Sequence, residues 1–223
     1  MATSPATSAD DGAGFAGALL HLLTRVEPLK HLYRTGWVDR DVDLPETVAA
    51  HSWRLALMAW LAADAGGLDV GRAMKLALVH DLAEAITGDR TPFDALGTTA
   101  AQRRALASDP PDREQWRGDS LRAAKLRAER EAIASLLDGA PAAVAVAIRS
   151  AWDEYEAGAS AEARLVNQLD KFEALLQGCE YAANGRLNDP TTLNSFRLDV
   201  QAVVQDSIPV GLLRALEAWQ RRD

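Results

Sequence analysis

Between Lys75 and Ile86 the chain reads KLALVHDLAEAI, a histidine–aspartate pair set inside an apolar run of helix-forming residues. Such a pair is expensive to bury unless something compensates it, so any fold of this chain must close other groups around His80 and Asp81. At helical spacing, His80 and Glu84 are four residues apart and Asp81 and Glu84 three apart, which puts three ionisable groups on nearly one face. Left unpaired, they would destabilise the helix. Imidazole and carboxylate together suit Mn, Fe, Co, Ni or Zn better than calcium. A lone histidine in such a run is more often a hydrogen-bonded core residue than a ligand. The flanking carboxylates shift the reading towards a ligand.

One turn of helix cannot complete a metal's coordination, so further ligands must come from elsewhere. The other histidines are His21, His31 and His51. His51 opens an apolar helical run, His21 lies in an amphipathic helix where a surface position is expected, and His31 stays open. Among the later carboxylates Asp170 is conspicuous. It flanks a stripe of Leu165, Leu169, Phe172 and Leu176, and so points at least partly inward. A plain salt bridge to Lys171 is its competing explanation.

The surrounding chain reads as one all-α domain of eight to ten helices. Alanine and leucine dominate, and aromatic residues make up only 6%. Residues 1–11 read as a disordered tail and 12–223 as the domain. Thr47 caps a helix that ends at Gly66-Gly67, another starts near Asp69, and Leu82–Ile86 continues or restarts it. Further helices are predicted over 119–138, with Arg, Lys and Glu on one face, from a Pro141 at the first helical position to about Ala157, and from a Ser160 cap to about Ala183. Two more close the chain, near 190–206 and 209–221. Tyr33–Pro45 reads as a loop, and 97–118 as a mobile excursion with a short helical centre and a Pro-Pro break.

The net charge of −8 argues against a nucleic-acid polymer as partner and leaves room for a small anion held at a focused site. Cys179 is the single cysteine, which excludes a disulfide scaffold or a cysteine-rich zinc site. No apolar stretch is long enough to span a membrane, and the first residues lack the order of a secretory signal. A reducing, cytoplasmic setting follows as the expectation.

The order His51, His80-Asp81, Asp170 resembles the H…HD…D signature of the HD superfamily. The blocks around it resemble its 5′-deoxynucleotidase branch: LKHLYRTGW with Arg34 and Trp37, PETVAAHS, ALVHDLAEAITGD, and Trp152–Glu173. The resemblance covers roughly residues 17–185 and omits the tail and 97–118. It implies a helical HD-domain bundle that hydrolyses deoxyribonucleoside 5′-monophosphates with one divalent cation (Mn, Co, Fe, Zn or Mg). His51, His80, Asp81 and Asp170 would be the ligands. Glu84 would transfer a proton, Asp89 would bind or activate the attacking water, Arg34 would contact phosphate, and Trp37 would line the sugar pocket. A homodimer is also implied.

Other enzymes of this class remain in view. A guanosine-polyphosphate hydrolase would carry Glu-Asp where this chain has Glu84-Ala85. A two-metal cyclic-nucleotide phosphodiesterase needs more histidines. A deoxynucleoside triphosphate hydrolase calls for a more basic pocket, and only Arg34 and Arg90 stand out for one. From a different class, a silent nucleotide-binding domain would not need to keep all six ionisable residues of the signature. The pathway, the base preference and the strength of deoxy selectivity are not encoded legibly.

Overall fold

The computed structural model describes residues 9–94, 96 and 99–221, and among them there is no β-strand, only an isolated antiparallel bridge between Tyr33 and Thr47. In chain order the helices are α1 (Ala9–Arg25), α2 (Thr35–Val38), α3 (Val48–Gly66), α4 (Val70–Val79), α5 (Glu84–Thr87) and α6 (Ala100–Ser108). They continue with α7 (Arg113–Arg117), α8 (Asp119–Leu136), α9 (Ala142–Ala157), α10 (Ala161–Ala183), α11 (Asn194–Val203) and α12 (Ser207–Gln220). Two short 3₁₀ turns, Glu27–Lys30 and Pro190–Leu193, complete the set.

Local chemistry fixes the ends of the central helices. Thr47 accepts from the Ala50 N–H at 3.2 Å to start α3, and Gly67, at φ +66°, ends it in a left-handed turn that a side chain would strain. Asp69 and Ser160 cap α4 and α10 in the same way. The core forms where α3, α4, α9 and α10 meet. Alanines 59, 63, 73 and 77 are wholly buried there against Leu55, Leu76, Leu165 and Leu169. Small side chains at these crossings let the backbones approach closely, which brings polar groups on the facing turns within reach of one another. α11 and α12 cover α10 from the other side through Val200 and Leu216, so the C-terminal helix packs within its own chain.

Four expectations change. α1 begins at Ala9, inside the predicted tail, whose first eight residues lie outside the described set. The Tyr33–Pro45 loop contains α2, one turn held by Trp37. Pro141 sits at the N-cap of α9 and not one residue inside. Residues 97 and 98 of the predicted mobile excursion lie outside the described set, and the rest, 99–118, is packed. It carries α6 and α7, packs Trp116 against Phe93, and ties back through Arg103 to Asp39 at 2.6 Å.

The tightest seam runs through Gly178 of α10. A methyl group there would stand 2.4 Å from Leu193 Cδ2 and 3.1 Å from Trp37 Cη2, both on fully buried side chains. Gly178→Ala should therefore lower stability by ~1–3 kcal/mol in chemical denaturation, despite alanine's better helix propensity.

Candidate metal centre

α4 ends at Val79, and the chain turns through 80–83 before α5 begins at Glu84. Of the two readings left open for Leu82–Ile86, the structure takes the restart after a break at the His-Asp pair. The break matters because it lets Asp81 fold back beside His80 and does not leave the two side chains splayed around a helix. His80 Nδ1–H donates to the Ala77 carbonyl at 2.8 Å, the only partner it has there, which fixes the ring's donor on that side.

α3 brings His51, wholly buried. Its Nδ1–H donates to Glu173 Oε2 at 2.5 Å, and Glu173 is held in turn by Arg54 Nε at 2.7 Å. Arg54 also grips Gln177 and Glu180, so α3 and α10 are clamped along one edge. With both Nδ1 atoms occupied as donors, the two Nε2 lone pairs face each other across 3.2 Å. Asp170 Oδ1 lies 3.2 Å from His51 Nε2, and Asp81 Oδ2 lies 3.0 Å from His80 Nε2 and 3.9 Å from His51 Nε2. Ligand atoms of His51, His80 and Asp170 all lie within 4.8 Å of one another, with the Asp81 oxygen beside His80, and these lone pairs and oxygens repel one another unless a positive charge sits among them.

The electrostatics agree. Burial and the Arg34 charge pull the His51 imidazole down, but Glu173 and Asp170 raise it to about 9, so the surrounding carboxylates favour a positive charge at Nε2, which a proton supplies in the absence of a metal and a bound cation would replace. For Asp170, burial is outweighed by Lys171 and the histidines, and the carboxyl is held well below the usual range. Lys171 Nζ and the Tyr155 hydroxyl engage its other oxygen at 2.7 and 3.2 Å. The donor set of two imidazoles and two carboxylates, with each histidine anchored through its second nitrogen, fits a divalent transition metal. A second grouping, Glu46, His51 and Glu173, also brings ligand atoms within 4.8 Å of one another. There the oxygens already accept from Trp37 Nε1, His51 Nδ1 and Arg54, so these residues act as the supporting layer.

A pocket opens on this cluster. Its wall includes Arg34, Trp37, Asp81, Glu84, Asp89 and Asp170, so the structure brings together six of the eight residues singled out from the sequence, with His51 and His80 buried behind them. The Tyr33–Thr47 bridge and the Arg34 N–H bond to the Glu46 carbonyl deliver Arg34 to the site. Burial opposes its charge, yet Glu46, Asp89, Asp81 and Asp170 more than compensate and raise it. Arg34 Nη1 and Glu84 Oε2 are both buried without a partner among the described residues. Burial, then the charges of Asp81 and Asp89, push Glu84 well above the usual carboxylate range. Asp89 Oδ2 accepts the Thr35 N–H at 2.6 Å and so pins α2 to the His-Asp turn. Trp37 is buried, with Nε1–H donating to Glu46 at 2.9 Å and its ring against Tyr181 and Phe196.

Sequence reasoning passed over several contributors. Arg34 and Arg90 are not the only cations: Arg40, Arg117, Lys125 and Lys171 also line the pocket. Most are already paired, Arg117 with Asp199, Lys125 with Glu129 and Lys171 with Asp170, while Arg40 is bound to carbonyls and Ser195. Lys125 sits on α8, the helix predicted to carry Arg, Lys and Glu on one face. Glu173 was the clearest miss, a second carboxylate within the buried stripe of α10. His21 is exposed as expected, and so is His31, which pairs with Glu27 at 2.9 Å.

The fold and this cluster together define a helical metal-dependent phosphohydrolase. The HD domain family matches residues 26–209, and this chain belongs to that family. It is 37% identical over 193 residues to a Bos taurus protein named 5′-deoxynucleotidase, covering 85% of this chain and 82% of that one. It is 30% identical over 202 residues to a Saccharomyces cerevisiae protein also named 5′-deoxynucleotidase, covering 90% and 83%. A crystal structure of a Pyrococcus horikoshii protein superposes with a TM-score of 0.63 at 26% identity, covering 92% of this chain and 99% of that one.

If Glu173 orients His51 for a metal, Glu173→Gln should weaken Mn or Co affinity about 10–100-fold in calorimetric titration while the helical content by circular dichroism stays unchanged.

Proposed function

We propose that this chain is a metal-dependent 5′-deoxynucleotidase that converts deoxyribonucleoside 5′-monophosphates to the deoxynucleoside and phosphate, with the cation on His51, His80, Asp81 and Asp170. One observation carries the reading. In a single pocket the ligand cluster adjoins a buried cationic nitrogen, Arg34 Nη1, and a buried carboxyl oxygen, Glu84 Oε2, neither with a partner. A phosphate oxygen answers the first and a transferable proton the second. The names of the relatives supply the sugar and the ester.

When bound, the cation polarises a phosphoryl oxygen and eases ionisation of water. The remaining work falls to side chains. Arg34 donates to the phosphate and is held at its height by Glu46 and by the Asp89–Thr35 bond. Asp89 presents its second oxygen to the attacking water. As the water oxygen bonds to phosphorus it gives up a proton to Asp89, and as the P–O5′ bond breaks Glu84, which burial and its acidic neighbours bias towards the protonated form, delivers its proton to O5′. Trp37, too tightly packed to shift, limits the room beside C2′, so a ribose hydroxyl would be buried unpaired. A triphosphate fits less well, because the pocket's further cations are mostly neutralised within the protein.

Two further assignments belong to this reading. The protein would act in the cytoplasm. The outer face of α3 exposes Trp53 (67%), Leu57, Trp60 (46%) and Leu61, an apolar stripe at helical spacing that would form the homodimer interface.

With Mn or Co added to metal-stripped protein, deoxynucleoside monophosphates should release phosphate and the matched ribonucleotides much less. Asp81→Ala should abolish release. Glu84→Gln should lower kcat roughly 10²–10⁴-fold with its metal still bound. Arg34→Ala should lower kcat/KM about 10–100-fold, mainly through KM. Equal turnover of ribonucleotides would remove Trp37 from its role, and no release from any monophosphate would defeat the reading. Light scattering should show a dimer that Trp53→Glu with Trp60→Glu converts to a monomer.

A further inference from the structure

α7 ends in two consecutive side chains that each carry one side-chain nitrogen without a partner among the described residues. Trp116 is 2% exposed. Its Nε1–H and the Nε–H of Arg117 are both buried without a hydrogen-bond partner among the described residues. Both residues line the pocket that opens on the metal cluster. A buried donor left unpaired is costly, so two on adjacent residues point to an acceptor that arrives from outside.

The neighbours hold the pair in place. The Trp116 indole stacks on Phe93 with centroids 4.9 Å apart and an interplanar angle of 18°. The Arg117 guanidinium lies 5.1 Å over the same indole, and its Nη2 is ion-paired with Asp199 of α11. Phe196, one turn before Asp199, lines the same pocket. Because Asp199 cancels the charge of Arg117, this wall is poorly suited to a second phosphate. Flat apolar surface with fixed N–H donors suits a neutral, planar group that carries acceptor atoms.

We propose that Trp116 and Arg117 bind the nucleobase of the substrate, donating to its carbonyl oxygen and ring-nitrogen acceptors. They thereby favour bases with a carbonyl (guanine, thymine, cytosine) over adenine, which has none. The assignment rests on the nucleotidase reading above and adds a specificity wall to it. The two residues belong to α7.

The test uses full-length, metal-loaded enzyme with dGMP and dAMP as substrates and deoxyribose 5-phosphate as a base-free competitor. Trp116→Phe keeps the ring and loses the N–H. Arg117→Lys keeps the charge facing Asp199 and loses the fork. Each should raise KM for dGMP roughly five- to tenfold and leave the Ki of deoxyribose 5-phosphate unchanged. The wild type should prefer dGMP to dAMP, and Trp116→Phe should narrow the gap. Equal weakening of dGMP and of the base-free competitor, or an unchanged KM for dGMP, overturns the base assignment and leaves the nucleotidase standing. No phosphate release by the wild type overturns both.

Discussion

Two imidazole nitrogens held 3.2 Å apart, each with its lone pair turned towards the other, set the terms for the rest of this structure. Neither ring can turn away. His80 is fixed through Nδ1 to the Ala77 carbonyl, and His51 through Nδ1 to Glu173. Asp170 closes on the pair from the His51 side and Asp81 from the His80 side, so the arrangement calls for a positive charge among them. Nearly every unusual feature of the fold serves to hold these groups there. The alanine-rich crossing of α3 with α4 lets the two histidines meet, the helix break after Val79 turns Asp81 inward, and the Arg54 clamp locks α10, with Asp170 and Glu173, against α3.

The pocket adds a division of labour by charge. Carboxylates near the cluster that bind no metal are treated differently by their surroundings. Glu84 is driven well above the usual range by burial and by its acidic neighbours. Asp89 is also raised, burial leading, but part of its carboxylate is committed to the Thr35 amide. Cations follow the same logic. Lys125, Lys171 and Arg117 neutralise particular carboxylates, while Arg34 keeps a nitrogen unassigned among four acidic groups. A site built this way presents one focused positive region in a chain whose net charge is −8.

The residues of the cluster were conspicuous in the sequence as ionisable groups in apolar runs: His80 and Asp81 in LALVHDLA, and Asp170 beside a leucine stripe. Helix ends were legible where capping is local, at Thr47, Asp69 and Ser160. What escaped depends on partners far along the chain. Glu173 has its meaning only through His51 and Arg54, 122 and 119 residues away. The 97–118 segment looked loose because its Pro-Pro and Gly signals are local. Its packing rests on Phe93, Asp39 and Asp199, and no periodicity encodes those contacts. The break at His80 was open to either reading, since residues 82–86 form helix on both sides of the choice.

The central claim is that one cation sits between the two Nε2 atoms. The direct measurement is an anomalous difference map from crystals of the protein loaded with Mn or Co. The account predicts one strong peak per chain, at ~2.0–2.3 Å from His51 Nε2, His80 Nε2, an Asp81 oxygen and an Asp170 oxygen. A peak among Glu46, His51 Nδ1 and Glu173, or no peak at saturating metal, would contradict it.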